Sequence, residues 1–153
     1  MNPLPEVKRL RLENEIHAVL KEFFGPYKNA PQYVTDVENY MQNARLPFKP
    51  YNVLGIYFGN PQTDAPEGLR SLQGVVVEEK QPVTPPYFNY TMKKTEYLYT
   101  RVVGKPEEVI PAGYLAIFNY TGMHKVRAGS SGGHQHVTMA DGQPVFEIYL
   151  EID

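Results

Sequence analysis

Tyr51-Asn-Val-Leu-Gly-Ile-Tyr-Phe-Gly-Asn-Pro61, followed after a polar turn by Gly68-Leu-Arg-Ser-Leu-Gln-Gly-Val-Val-Val-Glu-Glu79, is the stretch that decides the fold. Residues 53–58 and 72–77 are β-branched and aromatic runs, and Gly59, Asn60, Pro61, Asp64, Pro66 and Gly68 punctuate the chain between them. That pattern reads as strand, loop, strand. A hairpin buries too little by itself and needs a second layer against one face. The preceding segment supplies it. Tyr33, Val34, Val37, Tyr40 and Met41 recur at the spacing of one helical face, with Asp36, Glu38 and Asn39 turned to water. Asn29 and Gln32 have the spacing of a capping box, Pro31 suits the first turn, and Pro47 and Pro50 stop the helix. Residues 15–24 read as a strand, starting as early as Val7 and ended by Gly25-Pro26-Tyr27. The first part of the chain is therefore β-α-β-β.

Pro82, Pro85 and Pro86 resist both helix and central strand, so residues 80–86 form a connector. Beyond it, residues 97–103, 114–120 and 145–152 read as strands, with Gly104, Pro106, Pro111 and Gly113 as turn residues. A faint repeat emerges: Phe23-Phe-Gly-Pro-Tyr27 and Gly55-Ile-Tyr-Phe58 set against Asn119-Tyr-Thr-Gly-Met123 and Glu147-Ile-Tyr-Leu150. The connector between the second pair contains Gly129-Ser-Ser-Gly-Gly133, where a long helix is costly. The expectation is one α+β domain: repeat one at about 6–79, the connector, and repeat two at about 87–153, its helix short or missing.

With 153 residues the chain is long enough for a core. A formal net charge of −2, with Lys8, Arg9 and Arg11 as a merely local basic cluster, gives no reason to expect nucleic acid. No apolar run approaches the ~20 residues of a membrane span, and no signal-peptide core opens the chain, so a cytoplasmic protein is expected. There is no cysteine, hence no disulfide or thiolate chemistry. Ser71, Ser130 and Ser131 lie in no nucleophile elbow, and the glycines at 129, 132 and 133 precede no helix, so a phosphate loop is not expected. No cofactor is expected. On a strand, His134 and His136 would share a face and, with His124 or Asp141, make a metal site. Their glycine-serine surroundings favour exposed polar residues and no metal.

At this point a family comes into view. The chain resembles the GyrI-like (gyrase-inhibitor-like) small-molecule-binding domain, also seen as the effector-binding half of multidrug-responsive transcription activators. The resemblance rests on Phe24-Gly-Pro-Tyr27, on Leu54-Gly-Ile-Tyr-Phe-Gly-Asn-Pro61 with Ala65-Pro-Glu-Gly-Leu-Arg70, and on Pro144-Val-Phe-Glu-Ile-Tyr-Leu150. It implies two βαββ repeats with pseudo-two-fold symmetry sharing an antiparallel sheet. It also implies a pocket between the repeats with aromatic walls and a buried acid, taking lipophilic, often cationic, molecules. Some members are reported to hydrolyse reactive small molecules. The chain has no helix-turn-helix segment, so a free-standing sensor-type domain is expected.

Alternation places Phe146, Ile148 and Leu150 on one face of the last strand and Glu147, Tyr149 and Glu151 on the other. Glu147 and Tyr149 are the first candidates for a ligand site. Tyr57, opposite in phase to Leu54, Ile56 and Phe58, is expected to join them, with Phe118 and Tyr120 as further walls and Tyr27 at the rim. A carboxylate among rings either takes up a proton or holds a cation, and tyrosine faces reinforce the second outcome. Two rival readings stand beside ligand binding. One is a hydrolase in which Glu147 activates water. The other is a protein-binding module of gyrase-inhibitor type, or a homodimer in which a second copy covers the missing helix.

Overall fold

A computed structural model describes residues 3–61 and 63–153. The elements are β1 (Lys8–Arg11), β2 (Ile16–Phe24), α1 (Ala30–Asn43), β3 (Val53–Tyr57), β4 (Arg70–Val77), β5 (Phe88–Met92), β6 (Glu96–Val103), α2 (Pro106–His124), β7 (Gly133–Ala140) and β8 (Gln143–Glu151). They group into two compact units. One is Glu15–Lys93; the other joins the chain up to Asn14 with Lys94–Asp153.

The first unit is antiparallel in the order β3-β4-β2-β5, and the second in the order β1-β6-β8-β7. Each holds a β-α-β-β core, β2-α1-β3-β4 and β6-α2-β7-β8, as expected of the α+β class. The borders differ from expectation. β5 pairs with β2, so it closes the first unit instead of opening the second. β1 is a strand of its own that pairs with β6, not the start of β2. Both are short edge strands, and which sheet a short edge joins depends on distant pairing that local pattern does not encode.

α1 lays Val37 and Met41 on Val19, Val75 and Val77, with Val34 and Tyr40 alongside, and Tyr33 stacks on Phe23 at 4.4 Å. Its apolar face is the one expected. Its start is not: Tyr27–Asn29 form a 3₁₀ turn that runs straight into the helix, so Asn29 has φ −86° and ψ 3° and makes no side-chain cap. A cap needs an extended residue there. Asp36, expected in water, bonds Lys21 and Tyr87.

The second helix is the main correction. Residues 114–120 are not a strand, and the helix is not missing; α2 runs for 19 residues, longer than the 14 of α1, and precedes the glycine-rich segment. Pro106 sits at its start with Glu107 and Glu108 in the first turn, where negative charge suits the exposed N–H groups. Gly113 is a contact point, not a turn: a Cβ there would come within 2.7 Å of Ile148 Cδ1. Exposed Pro111 breaks one backbone bond, and burial of Ala116 and Ile117 offsets that cost. With α2 in place, the reason for invoking a second copy falls away.

The helix makes a sharp prediction. Ile117 is fully buried against Leu98, Val102 and Ile148, while its neighbour Phe118 is 56% exposed. Ile117→Ala should cost about 3 kcal/mol in urea unfolding, and Phe118→Ala less than about 0.5 kcal/mol. Comparable costs at the two positions would contradict the helix.

Candidate functional site

In the second unit, α2 covers the face of the sheet carrying Leu98, Val102, Phe146, Ile148 and Leu150. Strand alternation therefore sends Tyr97, Tyr99, Glu147 and Tyr149 to the opposite, helix-free face. Register brings them together: Tyr99 lies opposite Tyr149 on β8, which lies opposite His134 on β7, and Glu147 lies opposite His136. The result is Glu147 set among three phenols and two imidazoles, with Glu151 further along the same face opposite Tyr97.

The Tyr99 hydroxyl donates to Glu147 Oε2 at 2.6 Å. Tyr149 also bonds this carboxylate, and its ring lies 5.0 Å from that of Tyr99. His136 Nδ1 stands 3.7 Å from Oε1. Burial, then the hydrogen bond and charge of Glu147, push the Tyr99 phenol well above its ordinary range. Burial, then the charge and hydrogen bond of Glu147, do the same to Tyr149. Each phenol therefore stays a donor at neutral pH. Tyr97 is edge-on to Tyr149 at 5.7 Å. His134 is 1% exposed, and its Nδ1 bonds the Gly132 carbonyl at 3.0 Å. Burial lowers its pKa, so it is held neutral.

Among the described residues no lysine or arginine forms an ion pair with Glu147. Arg101, opposite it on β6, is exposed and makes no such contact. Lys8 lies over the Tyr99 ring, 5.7 Å from its centroid. The rings are almost fully buried, whereas 26% of the Glu147 side chain is open to solvent. The face therefore presents an accessible anion backed by aromatic groups.

Glu147 and Tyr149 sit on the helix-free side of their strand; Phe118 and Tyr120 of the same unit lie on α2, and Tyr27 and Tyr57 belong to the first unit. Tyr57 lies on the same face of its strand as Val53 and Val75, which is the face that α1 covers. Leu54 and Ile56 take the other side, with Ala18, Leu20 and Leu72. The expected phase was reversed because both faces of β3 and β4 are apolar, so alternation could not say which one the helix covers. The Tyr57 ring packs edge-on to Tyr27 at 4.8 Å, and burial raises the pKa of its phenol. Tyr27 is structural: its hydroxyl donates to the Arg70 carbonyl at 3.0 Å and accepts the Gly59 N–H at 2.8 Å, tying down the β3–β4 loop. Phe118 and Tyr120 lie on α2, the first exposed and the second stacked on His124 at 4.1 Å.

Tyr97 and Tyr99 were missed, although period-two alternation within residues 97–103 puts them on one face. His134 and His136 were read as loop residues. They stand on β7 and are largely buried, and among the described residues no three acids or histidines cluster as metal ligands.

Two surface hollows lie off this face. One of about 300 Å³ is lined by Gly104, Lys105, Pro106, Gln143 and Pro144, and one of about 180 Å³ by residues that include Phe48, Lys49, Glu78 and Glu79. The first has no acid or ring. In the second, the acids are exposed and share the rim with Lys49. Neither matches the chemistry around Glu147. No described helix is long and apolar enough to cross a membrane.

No family model and no curated protein matches the chain. Solved structures do. The C-terminal domain of EcmrR is similar over 99% of this chain and 99% of its own, with a TM-score of 0.77 at 9% identity. EcmrR in its DNA complex matches equally well, and there the chain spans 58% of EcmrR's length. SAV2435 bound to tetraphenylphosphonium matches over 97% of this chain and 94% of its own, with a TM-score of 0.56 at 13% identity. A hydrolase from Listeria innocua matches over 99% and 94%, at 0.58 and 11%. At such identities the likeness is one of fold. The fold is the one that the GyrI-like resemblance implied.

Proposed function

We propose that the chain binds a small lipophilic cation on the helix-free face of its second unit, with Glu147 as counter-charge and Tyr97, Tyr99 and Tyr149 as aromatic surroundings. The observation that carries this reading is the company Glu147 keeps. It is a partly buried carboxylate bonded to phenols and faced by an imidazole, with no ammonium or guanidinium of the described residues in an ion pair with it. Hydrogen bonds from phenols satisfy a carboxylate's lone pairs without cancelling its charge. A soft organic cation, poorly hydrated and attracted to ring faces, suits such a place better than a strongly hydrated metal ion. Lys8 over the Tyr99 ring is consistent with that preference. SAV2435, a structural neighbour, was seen with tetraphenylphosphonium, which makes that ion the natural probe.

Calorimetric titration of tetraphenylphosphonium into the protein and into Glu147→Gln tests the reading. Glutamine keeps the shape and still accepts from Tyr99, so only the charge is lost. Affinity should drop by about ten-fold or more. Equal affinities would refute the role of Glu147.

A hydrolytic reading has one observation in its favour: carboxylate, phenol and imidazole meet within reach of one another. Glu147 would then deprotonate water beside the Tyr99 hydroxyl. Turnover of an electrophilic ester, abolished in Glu147→Gln, would favour this alternative; tight binding without turnover would remove it.

A further inference from the structure

His136 and Glu147 are directly opposed on β7 and β8, with Nδ1 and Oε1 3.7 Å apart, while Tyr99 holds the other carboxylate oxygen. One oxygen is thus bonded by a phenol that keeps its proton. The other faces a group of the kind that changes charge between about pH 5 and pH 8. Cation binding as argued above makes no use of that imidazole.

We infer that His136 is a built-in competitor for Glu147, so that the face takes up cations when His136 is neutral and releases them on acidification. The inference rests on the binding reading and adds its regulation. An imidazolium this close to a partly buried carboxylate pairs with it, and the same proton sets a like charge beside any bound cation. Both effects weaken the ligand in the same direction. The sign follows: affinity is highest at mildly alkaline pH and falls as pH drops through the His136 titration.

The other groups on this face do not supply that dependence. Arg101 lies opposite Glu147 and Lys8 over the Tyr99 ring, and side chains of these two types do not change charge between about pH 5.5 and about pH 8, so they bear on the level of affinity and not on its slope. Tyr97, Tyr99 and Tyr149 present phenols, which stay protonated there. His134 is buried edge-on to Tyr97 and bonded to Gly132; burial lowers its pKa against the charge of Glu151, so it takes up a proton less readily than an ordinary histidine. The ligands this arrangement serves are permanent cations, phosphonium or quaternary ammonium, whose own charge does not follow pH.

Tetraphenylphosphonium affinity is to be measured at about pH 8 and about pH 5.5 in the unmodified protein and in His136→Asn. A ligand-free NMR titration of the His136 ring in the unmodified protein and in Glu147→Gln completes the test. The unmodified protein should lose roughly ten-fold in affinity on acidification and His136→Asn less than about two-fold. The His136 midpoint should fall when Glu147 is neutralised. If His136→Asn keeps the full pH dependence, or the midpoint stays put, the competitor role is overturned and the binding reading stands. If the unmodified protein binds the phosphonium at neither pH, both are overturned.

Discussion

Gly74→Ala should cost about 3 kcal/mol or more of folding stability in urea unfolding, the largest single loss expected outside the buried aliphatic core. Gly74 lies in β4, opposite Leu20 of β2 on one side and Leu54 of β3 on the other. A Cβ there would overlap the Val19 carbonyl oxygen and come within 2.8 Å of the Val19 carbonyl carbon and 2.9 Å of Leu20 Cα. These are backbone atoms of a strand that is hydrogen-bonded on both edges, to β4 and to β5. No flexible tip can swing away. β2 must shift as a whole and give up ladder bonds or the contacts of Val19 with α1. Gly68→Ala is the control, since nothing lies within 4 Å of a Cβ at that place; it should stay within about 0.5 kcal/mol. An unchanged unfolding midpoint for Gly74→Ala would show that the strands are not packed this closely.

The second large effect is alkaline. Tyr99 and Tyr149 both have phenol pKa values raised in the folded state, by burial first and by Glu147 second. In the unfolded chain they ionise near pH 10. Above that pH the unfolded state binds fewer protons than the folded one, so stability falls as pH rises. This contribution is fully present below about pH 10 and is lost as pH climbs toward the folded values. Chemical unfolding at a series of pH values should show a steep loss above about pH 10. In Glu147→Gln the phenols ionise more easily within the fold, and the loss between about pH 10 and about pH 12 should be smaller. The same loss in both proteins would mean that Glu147 does not govern these hydroxyls.

The last strand shows how far pattern alone could reach. Phe146, Ile148 and Leu150 face α2 while Glu147 and Tyr149 face away, as alternation requires when one face is apolar and the other is not. β3 and β4 offer no such contrast. Val75 and Val77 meet α1, Leu72 and Val76 sit in the core of the other face, and Tyr57 was assigned to the wrong side for that reason. α2 defeated the reading differently. Leu115 and Phe118 are exposed, Ala116 and Ile117 between them are buried, and an apolar surface all the way round hides the helical period. Pro111 and Gly113 then read as turns.

The repeat was detected but set in the wrong phase. The turn at Gly25, φ 148°, matches that at Gly104, φ 131°, each leading from strand into helix. The counterpart of Phe23-Phe-Gly-Pro-Tyr27 is thus Val102-Val-Gly-Lys-Pro106, not residues 119–123. β3 likewise corresponds to β7, and β4 to β8. With that phase, the histidines of β7 fall on a strand, and the neighbours of Glu147 follow.

The central claim is that the negative charge of Glu147, framed by phenols, selects for positive ligands. Tetraphenylphosphonium and tetraphenylborate have nearly the same size and shape and opposite charge, so titrating both into the unmodified protein at neutral pH isolates that charge. The account predicts that the phosphonium binds at least about ten-fold more tightly. Equal affinities, or a preference for the borate, would contradict it.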